Sequence, residues 1–497
     1  MLSKKMINGL VVVSSSVLFL AACTSNDSTA SEQKEEEVKV EETKQEEVQT
    51  QEKEAVDKEA IQQAYDAAAL KGYWVSRAQL GNLVMQSGMG IPFMPPEGAP
   101  QKMAESVGVG MDKLPMNPHL TQAVFASGDP HFIQEQVQGD LSTFRWDAAT
   151  FDQTIRTSDQ AFTIIKELEW AKEFHNKETF MPIDPFLGLM LTAEGKMNTK
   201  FALEKLLQDG KGFITSIDGA SLKVKDDSVN FYEQAAMLWA LSDVVSTLSN
   251  EEKFPRYYNE EEGEMFKQAT GKVFEGLQTV EPTSNKDNAI ALTALEWYAS
   301  IADDQKDKIN ELAKTYAANL EGAAYENATD YALAIRGLAS SYRITGDSGA
   351  LDQAVKHYDA LKELWDEDAG VYRLGEGEYV YTPYDAGAII GGLHAIKAIV
   401  GPELKDDTLT YEAANRVTVF YNNAVEVSGM QPSGDALKDG EFGRGDTANA
   451  EVRYNKETGK WSVTDNHFVT HDNMFLANEL IWLLDDKGLI QPFPEIN

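Results

Sequence analysis

The sequence predicts an all-α protein built as a closed ring of six helical hairpins, with small β-hairpins in the outer-to-inner loops. Three observations carry this expectation. An acidic residue followed by a wide apolar run recurs six times along the chain. Helices that are apolar all round alternate with helices that are apolar on one stripe. The connections between them are short in one direction and long in the other.

The clearest copies of the repeat are Lys286-Asp287-Asn288-Ala289-Ile290, Thr329-Asp330-Tyr331-Ala332-Leu333, Tyr384-Asp385-Ala386-Gly387-Ala388 and His471-Asp472-Asn473-Met474-Phe475. Looser copies are Ser158-Asp159-Gln160-Ala161-Phe162 and Phe231-Tyr232-Glu233-Gln234-Ala235. Each opens a run of roughly 15 residues, an ordinary helix length. An apolar circumference marks a buried helix, so these six form an inner layer. The outer layer reads differently. Residues 305–321 place Ile309, Leu312, Ala313, Tyr316 and Leu320 on one stripe, and 261–279, 348–365 and 407–427 follow suit, with 198–208 a short version. One-sided helices alternating with buried ones mean two layers. An open solenoid also stacks helix pairs, but solenoids of the tetratricopeptide kind keep a period near 34 residues. Here successive acids from Glu233 to Asp472 stand 54, 43, 55 and 87 residues apart, and unequal spacing with a count of six favours the ring.

Inner-to-outer connections are short, Ala302 to Asp304 and Thr345 to Asp347. Outer-to-inner connections carry hairpin signals: 213–217 turning at Asp218-Gly219 into 222–224, 370–372 turning near Gly375 to Gly377 into 379–381, and 450–454 turning at Asn455 to Gly459 into 460–463. Loops on a rigid scaffold carry function, so the rim where inner helices begin is the elaborated face.

The 497 residues exceed the usual size of one hydrophobic core. Four segments are expected: 1–22, a lipoprotein signal peptide; 23–53, a disordered acidic tether; 54–149, an N-terminal helix with a Met-, Pro- and Gly-rich arm; and 150–497, the ring. The net charge of −36 falls mostly on the folded body, because residues 24–60 carry thirteen acids against five lysines. Such a surface excludes nucleic acid as a partner and does not lie on anionic lipid. Lys4 and Lys5, the apolar run from Leu10 to Phe19 and the small residues after it have the order of a secretory signal, too short to span a bilayer. Residues 24–53 have almost nothing apolar to bury.

Two resemblances add to this. Leu20-Ala21-Ala22-Cys23 resembles the lipobox of bacterial lipoproteins, which implies cleavage before Cys23, the chain's one cysteine, and a lipid thioether on its sulfur. The protein is then expected on the extracytoplasmic face of the cell membrane, anchored through that lipid. Residues 150–486 resemble the six-hairpin glycosidase-like superfamily, the (α/α)6 toroids, in layer pattern and count. That resemblance implies an active-site funnel on the same rim and a glycan or small-molecule ligand.

Asp330, Asp385 and Asp472 are the candidate catalytic residues, and Tyr331, Tyr384, His471 and Asn473 the candidate substrate-binding ones. Acids on adjacent helices, roughly 8–10 Å apart, match the carboxyl separation of inverting glycosidases. Asp also favours the first turn of any helix, where it accepts backbone N–H groups, so at least half of the six are expected to be caps. His467 and His471 have the spacing of a helical metal pair, but the helix begins near His471, and no metal or cofactor is expected. Six of fifteen methionines, Met85, Met89, Met94, Met103, Met111 and Met116, lie between residues 85 and 116. Thioethers suit Cu(I), yet the Pro-interrupted spacing reads better as an adaptable apolar arm. Three functions remain: a glycan-active hydrolase or lyase, a non-catalytic lipoprotein binding a glycan, peptide or partner protein in the funnel, and, third in order, a metal-handling lipoprotein.

Overall fold

The computed structural model describes residues 32–117, 120–137, 139–175, 181–431 and 449–484, with side chains from Asp57 onward. The signal segment, Cys23 and His119 lie outside them. The chain divides into two units, one ending at Asp57 and one beginning at Lys58.

Among the described residues, twelve long helices make the frame. They are α1 (Glu32–Gly81), α2 (Thr157–His175), α3 (Asp184–Lys205), α4 (Phe231–Leu248), α5 (Glu260–Leu277), α6 (Asn285–Ala299), α7 (Lys306–Leu320), α8 (Ala328–Thr345), α9 (Ser348–Lys362), α10 (Pro383–Ala395), α11 (Asp407–Phe420) and α12 (Thr470–Trp482). The even-numbered helices are the six inner ones. Each packs on the next, and α12 packs back on α2, so the ring closes. The fold is an (α/α)6 toroid. The two layers follow from side-chain patterning. In α6 every residue from Asp287 to Tyr298 is buried, whereas α5 buries only Gly263, Phe266, Thr270, Val273, Phe274 and Leu277, a single stripe.

The sixth outer position is filled by α1 from Lys58 on, a helix expected from sequence but not as part of the ring. Ser76 Oγ donates to the Ala477 carbonyl of α12 at 2.7 Å, and Tyr73 packs on Trp170 of α2 at 4.6 Å. The segment read as a tether is helical from Glu32. Its Glu, Lys and Gln residues are too polar for a core but are good helix formers. Helix α3 is also longer than its short sequence stripe, because Phe186, Leu187, Met190 and Leu191 extend it toward the N-terminus.

The β-structure lies before the inner helices. Strands Glu451–Asn455 and Lys460–Asp465 form the expected hairpin, and Ser216–Asp218 pairs with Val224–Asp226 and with Thr154–Arg156. The third hairpin differs: Val371–Tyr372 pairs with Trp365–Asp366, while Val380–Tyr381 pairs with Glu451–Asn455. Two-residue strands are held by whichever edge is nearest, and alternation alone cannot choose it.

The arm folds over one side of the rim. Gly90–Phe93 pairs with Leu120–Val124, and Ser127–Gly128 pairs with Phe468–Val469 at the entrance to α12. Met85 and Met89 are buried, whereas Met94, Met111 and Met116 are exposed, so the methionines do not converge. Among the described residues no cluster of His, Cys, Asp or Glu could hold a metal, and no helix is long and apolar enough to cross a membrane.

Farther along the inner helices from the rim, the ring is filled by charge pairs and indoles. Lys172 bridges Glu169 and Asp243, Arg336 meets Glu479 at 3.3 Å, and Trp239 stacks on Trp482 at 5.7 Å. Buried pairs of this kind repay their own desolvation and fix geometry more than they add stability.

Candidate functional site

All six acids of the repeat sit at the third residue of an inner helix, and they divide into two groups. Three are engaged at helix caps. Asp287 closes a capping box with Ser284, its Oδ2 accepting from the Thr283 and Ser284 amides at 2.7 and 3.0 Å. Asp385 does the same with Thr382, and its second oxygen accepts from Thr329 Oγ1 of α8 at 2.9 Å. Asp330 accepts from Asn327 Nδ2 at 2.9 Å while its amide is capped by the Asn327 side chain.

The other three have different surroundings. Asp159 is fully buried with no hydrogen bond to either carboxyl oxygen among the described residues. Burial raises its pKa well above the usual carboxylate range. Glu233 accepts from Ser158 Oγ at 3.2 Å, and burial pushes its pKa up to about 7. Asp472 keeps 22% of its side chain exposed, and its Oδ1 faces His471 Nδ1 at 2.7 Å.

Around these acids the inner helices converge on one floor. His471 Nε2 lies 3.0 Å from Tyr232 Oη, and the Tyr232 and Tyr384 hydroxyls are hydrogen-bonded. The His471 ring stacks on Tyr384 at 5.2 Å and meets the edge of Phe162, also at 5.2 Å. Phe475 closes the floor against Tyr384 at 4.5 Å. Lys286 Nζ lies 3.9 Å from the centre of the Tyr384 ring and 4.5 Å from that of Tyr232, a double cation–π contact. Burial lowers the Lys286 pKa, opposed by the carboxylates of Asp472, Asp385, Asp287 and Glu233. Burial likewise lowers that of His471, opposed by its contact with Asp472. The site is therefore a partly dry, aromatic floor with neutral and charged acids side by side, at the pooled positive ends of six helices.

Of the residues chosen from sequence, Tyr384, Asp385, His471 and Asp472 come together here. Asp330 bonds Asn327, the cap of its own helix. Tyr331 packs on Tyr325 at 5.0 Å and near His357 of α9, away from the Tyr232–Tyr384 pair. Asn473 is buried, its side chain bonding the Asn449 amide and the Val469 carbonyl, both at 3.0 Å; it anchors the rim loop. His467 bridges Asp465 and Asp129 at 2.8 and 3.1 Å, tying the rim hairpin to the arm rather than pairing with His471. Tyr232 and Lys286 were missed. Both stand one residue before an acid of the repeat, as do Ser158, Thr329, Tyr384 and His471, and that second column is the signal that finds them.

No protein-family model matches the chain, and no curated protein matches it. Among solved structures, a D-mannose isomerase overlays with a TM-score of 0.48 and 11% identity, covering 79% of this chain and 100% of that one. The cellobiose 2-epimerase of Spirochaeta thermophila gives 0.47 and 10% identity, covering 79% and 100%. Bacteroides ovatus GH9 gives 0.44 and 11% identity, covering 83% of each chain.

Proposed function

We propose that this protein is a glycan-active enzyme whose reaction takes place on the aromatic floor at the inner-helix N-termini. The observation that supports it best is the meeting, on one floor, of a solvent-reached carboxylate, a neutral imidazole, a lysine and two tyrosine faces. Tyrosine faces suit the apolar face of a sugar ring, and the titratable groups around them suit proton transfer. Asp472 is the carboxylate for that work. Asp385 spends both oxygens, on its own cap and on Thr329, and Asp330 is turned to Asn327, whereas Asp472 engages His471 of the floor through Oδ1. Glu233, pushed up to about 7, can hold a proton at neutral pH and release it, as a general acid must.

We place the protein at the membrane, on its extracytoplasmic face, through a lipid on Cys23. The support is the order Lys4-Lys5, apolar run, Leu20-Ala21-Ala22-Cys23. The binding-module reading stands second, favoured by the cap roles of Asp287 and Asp385.

The test is a panel of oligosaccharides scored in parallel for binding and for turnover. Asp472→Asn is expected to lower kcat by about 10²–10⁴-fold with the fold intact. Sugars that bind but are never turned over would move the protein to the binding reading.

A further inference from the structure

The hydrogen bonds on the floor form a chain that ends on two bonded phenols, Tyr232 and Tyr384. Asp472 engages His471 Nδ1, and Tyr232 Oη engages Nε2, so both ring nitrogens are held by the protein. A proton on Nδ1 satisfies the Asp472 carboxylate, which leaves Nε2 an acceptor and makes Tyr232 the donor. The imidazole is pinned between Tyr384 and Phe162 and cannot turn to meet a ligand without breaking both bonds. Tyr384 then donates to the Tyr232 oxygen; Tyr384 is buried and Tyr232 only partly so, which makes Tyr232 the phenol of the pair that a ligand can reach. Carboxylate, imidazole and hydroxyl in that order let an imidazole withdraw a hydroxyl proton while the carboxylate stabilises the resulting imidazolium. Lys286 completes the arrangement, since its ammonium over the Tyr232 ring opposes the negative charge of a phenolate.

We propose that Tyr232 is the residue that exchanges a proton with the substrate, with His471 and Asp472 acting through it and Lys286 stabilising its phenolate. This rests on the glycan-active reading and names the acid–base group of that same site. In the step, the Tyr232 O–H bond breaks and its proton passes to His471 Nε2. The phenolate then takes a proton from the bound sugar, and the pair of that broken bond stays on the sugar atom. One proton has moved from substrate to imidazole by way of the phenol, no electrons are lost or gained, and the reverse sequence returns it. The resting state fits this order. Burial raises the pKa of Tyr232 and lowers that of His471, so the phenol is protonated and the imidazole neutral before substrate arrives.

The first test needs no substrate. In ¹⁵N-histidine spectra of the full chain, the His471 signals are identified by their loss in His471→Gln. At neutral pH they are expected to report a neutral ring with the proton on Nδ1, and the Nε2 signal is expected to move in Tyr232→Phe. An imidazolium, the opposite tautomer, or no response to Tyr232→Phe would overturn the relay.

The second test uses any sugar that the wild-type chain turns over. Tyr232→Phe is expected to lower kcat by about 10³-fold with KM within about threefold. Lys286→Gln, an independent variant, is expected to lower kcat by about tenfold or more and to leave the His471 tautomer in place. Full activity in Tyr232→Phe overturns the proposal and leaves the glycan-active reading standing. A wild-type chain that turns over no sugar ends that reading instead, and the spectra alone then decide the relay.

Discussion

Replacing Glu194 by glutamine is expected to flatten the pH dependence of stability. Glu194 of α3 is 2% exposed, and its Oε1 accepts from the Thr121 amide at 2.6 Å and from Thr121 Oγ1 at 3.0 Å, holding the arm to the ring. Its Oε2 has no partner among the described residues. Glu167 of α2 lies beside it, equally buried, bonded to Asn198 Nδ2 at 2.6 Å. Burial pushes Glu194 up from 4.5 to about 8, against the opposing pull of the Thr121 donors. Burial raises Glu167 as well, reinforced by the Glu194 charge. The folded state therefore keeps a proton that the unfolded chain releases. Stability from this source is fully present below about pH 4.5 and is lost as pH rises through about 8. At about 1.4 kcal/mol per pH unit and per proton, the window is worth on the order of 5 kcal/mol. Glutamine keeps the acceptor for Thr121 and cannot ionise. Urea unfolding of both proteins at several pH values across this window measures the difference. Wild type is expected to lose several kcal/mol relative to Glu194→Gln between the acid and the alkaline end. Parallel stability curves would show that Glu194 is already ionised in the fold, and the argument from its burial would fail.

Two further outcomes are expected. A Cβ on Gly392 of α10 would stand 2.5 Å from the Ala332 carbonyl oxygen and 2.7 Å from its Cα on α8. Gly392→Ala should therefore cost about 1–3 kcal/mol by forcing two inner helices apart, seen as a Tm lowered by a few degrees. Cys23→Ala is expected to move the protein from the membrane fraction to the soluble one, because an acidic body has no other evident affinity for lipid; a variant that still sediments with membranes would remove the lipid anchor.

The layers were legible in the sequence because burial leaves a periodic mark: a stripe for α5 and α7, a full circumference for α4 and α10. The sixth outer helix was not, because its partner is remote. Ser76 of α1 meets Ala477 of α12 across 401 positions, and no local pattern reports a contact of that span. The hairpin at 370–381 failed for the related reason that alternation fixes a strand's faces but not its neighbour.

The site was half legible, and the half that was missed has a geometric cause. An acid at the third position of a helix can reach back to cap it, and Asp287 and Asp385 do so, while Asp330 reaches back to the cap residue Asn327. Successive residues of a helix point about 100° apart. The residue before the acid is therefore turned away from the cap, and in the ring that direction is the floor: Ser158 meets Glu233, Tyr232 meets His471, Lys286 lies over Tyr232 and Tyr384, and Thr329 meets Asp385. An acid stands at the third position of all six inner helices, whether or not it caps the helix, which is why the acids are alike and easy to find. A site needs a different group at each position, and the column Ser158, Tyr232, Lys286, Thr329, Tyr384, His471 holds two hydroxyls, two phenols, an amine and an imidazole. In a symmetric ring the position whose residues differ most in chemistry is thus the better pointer to function, and the uniform position beside it marks the helix starts that aim those residues inward.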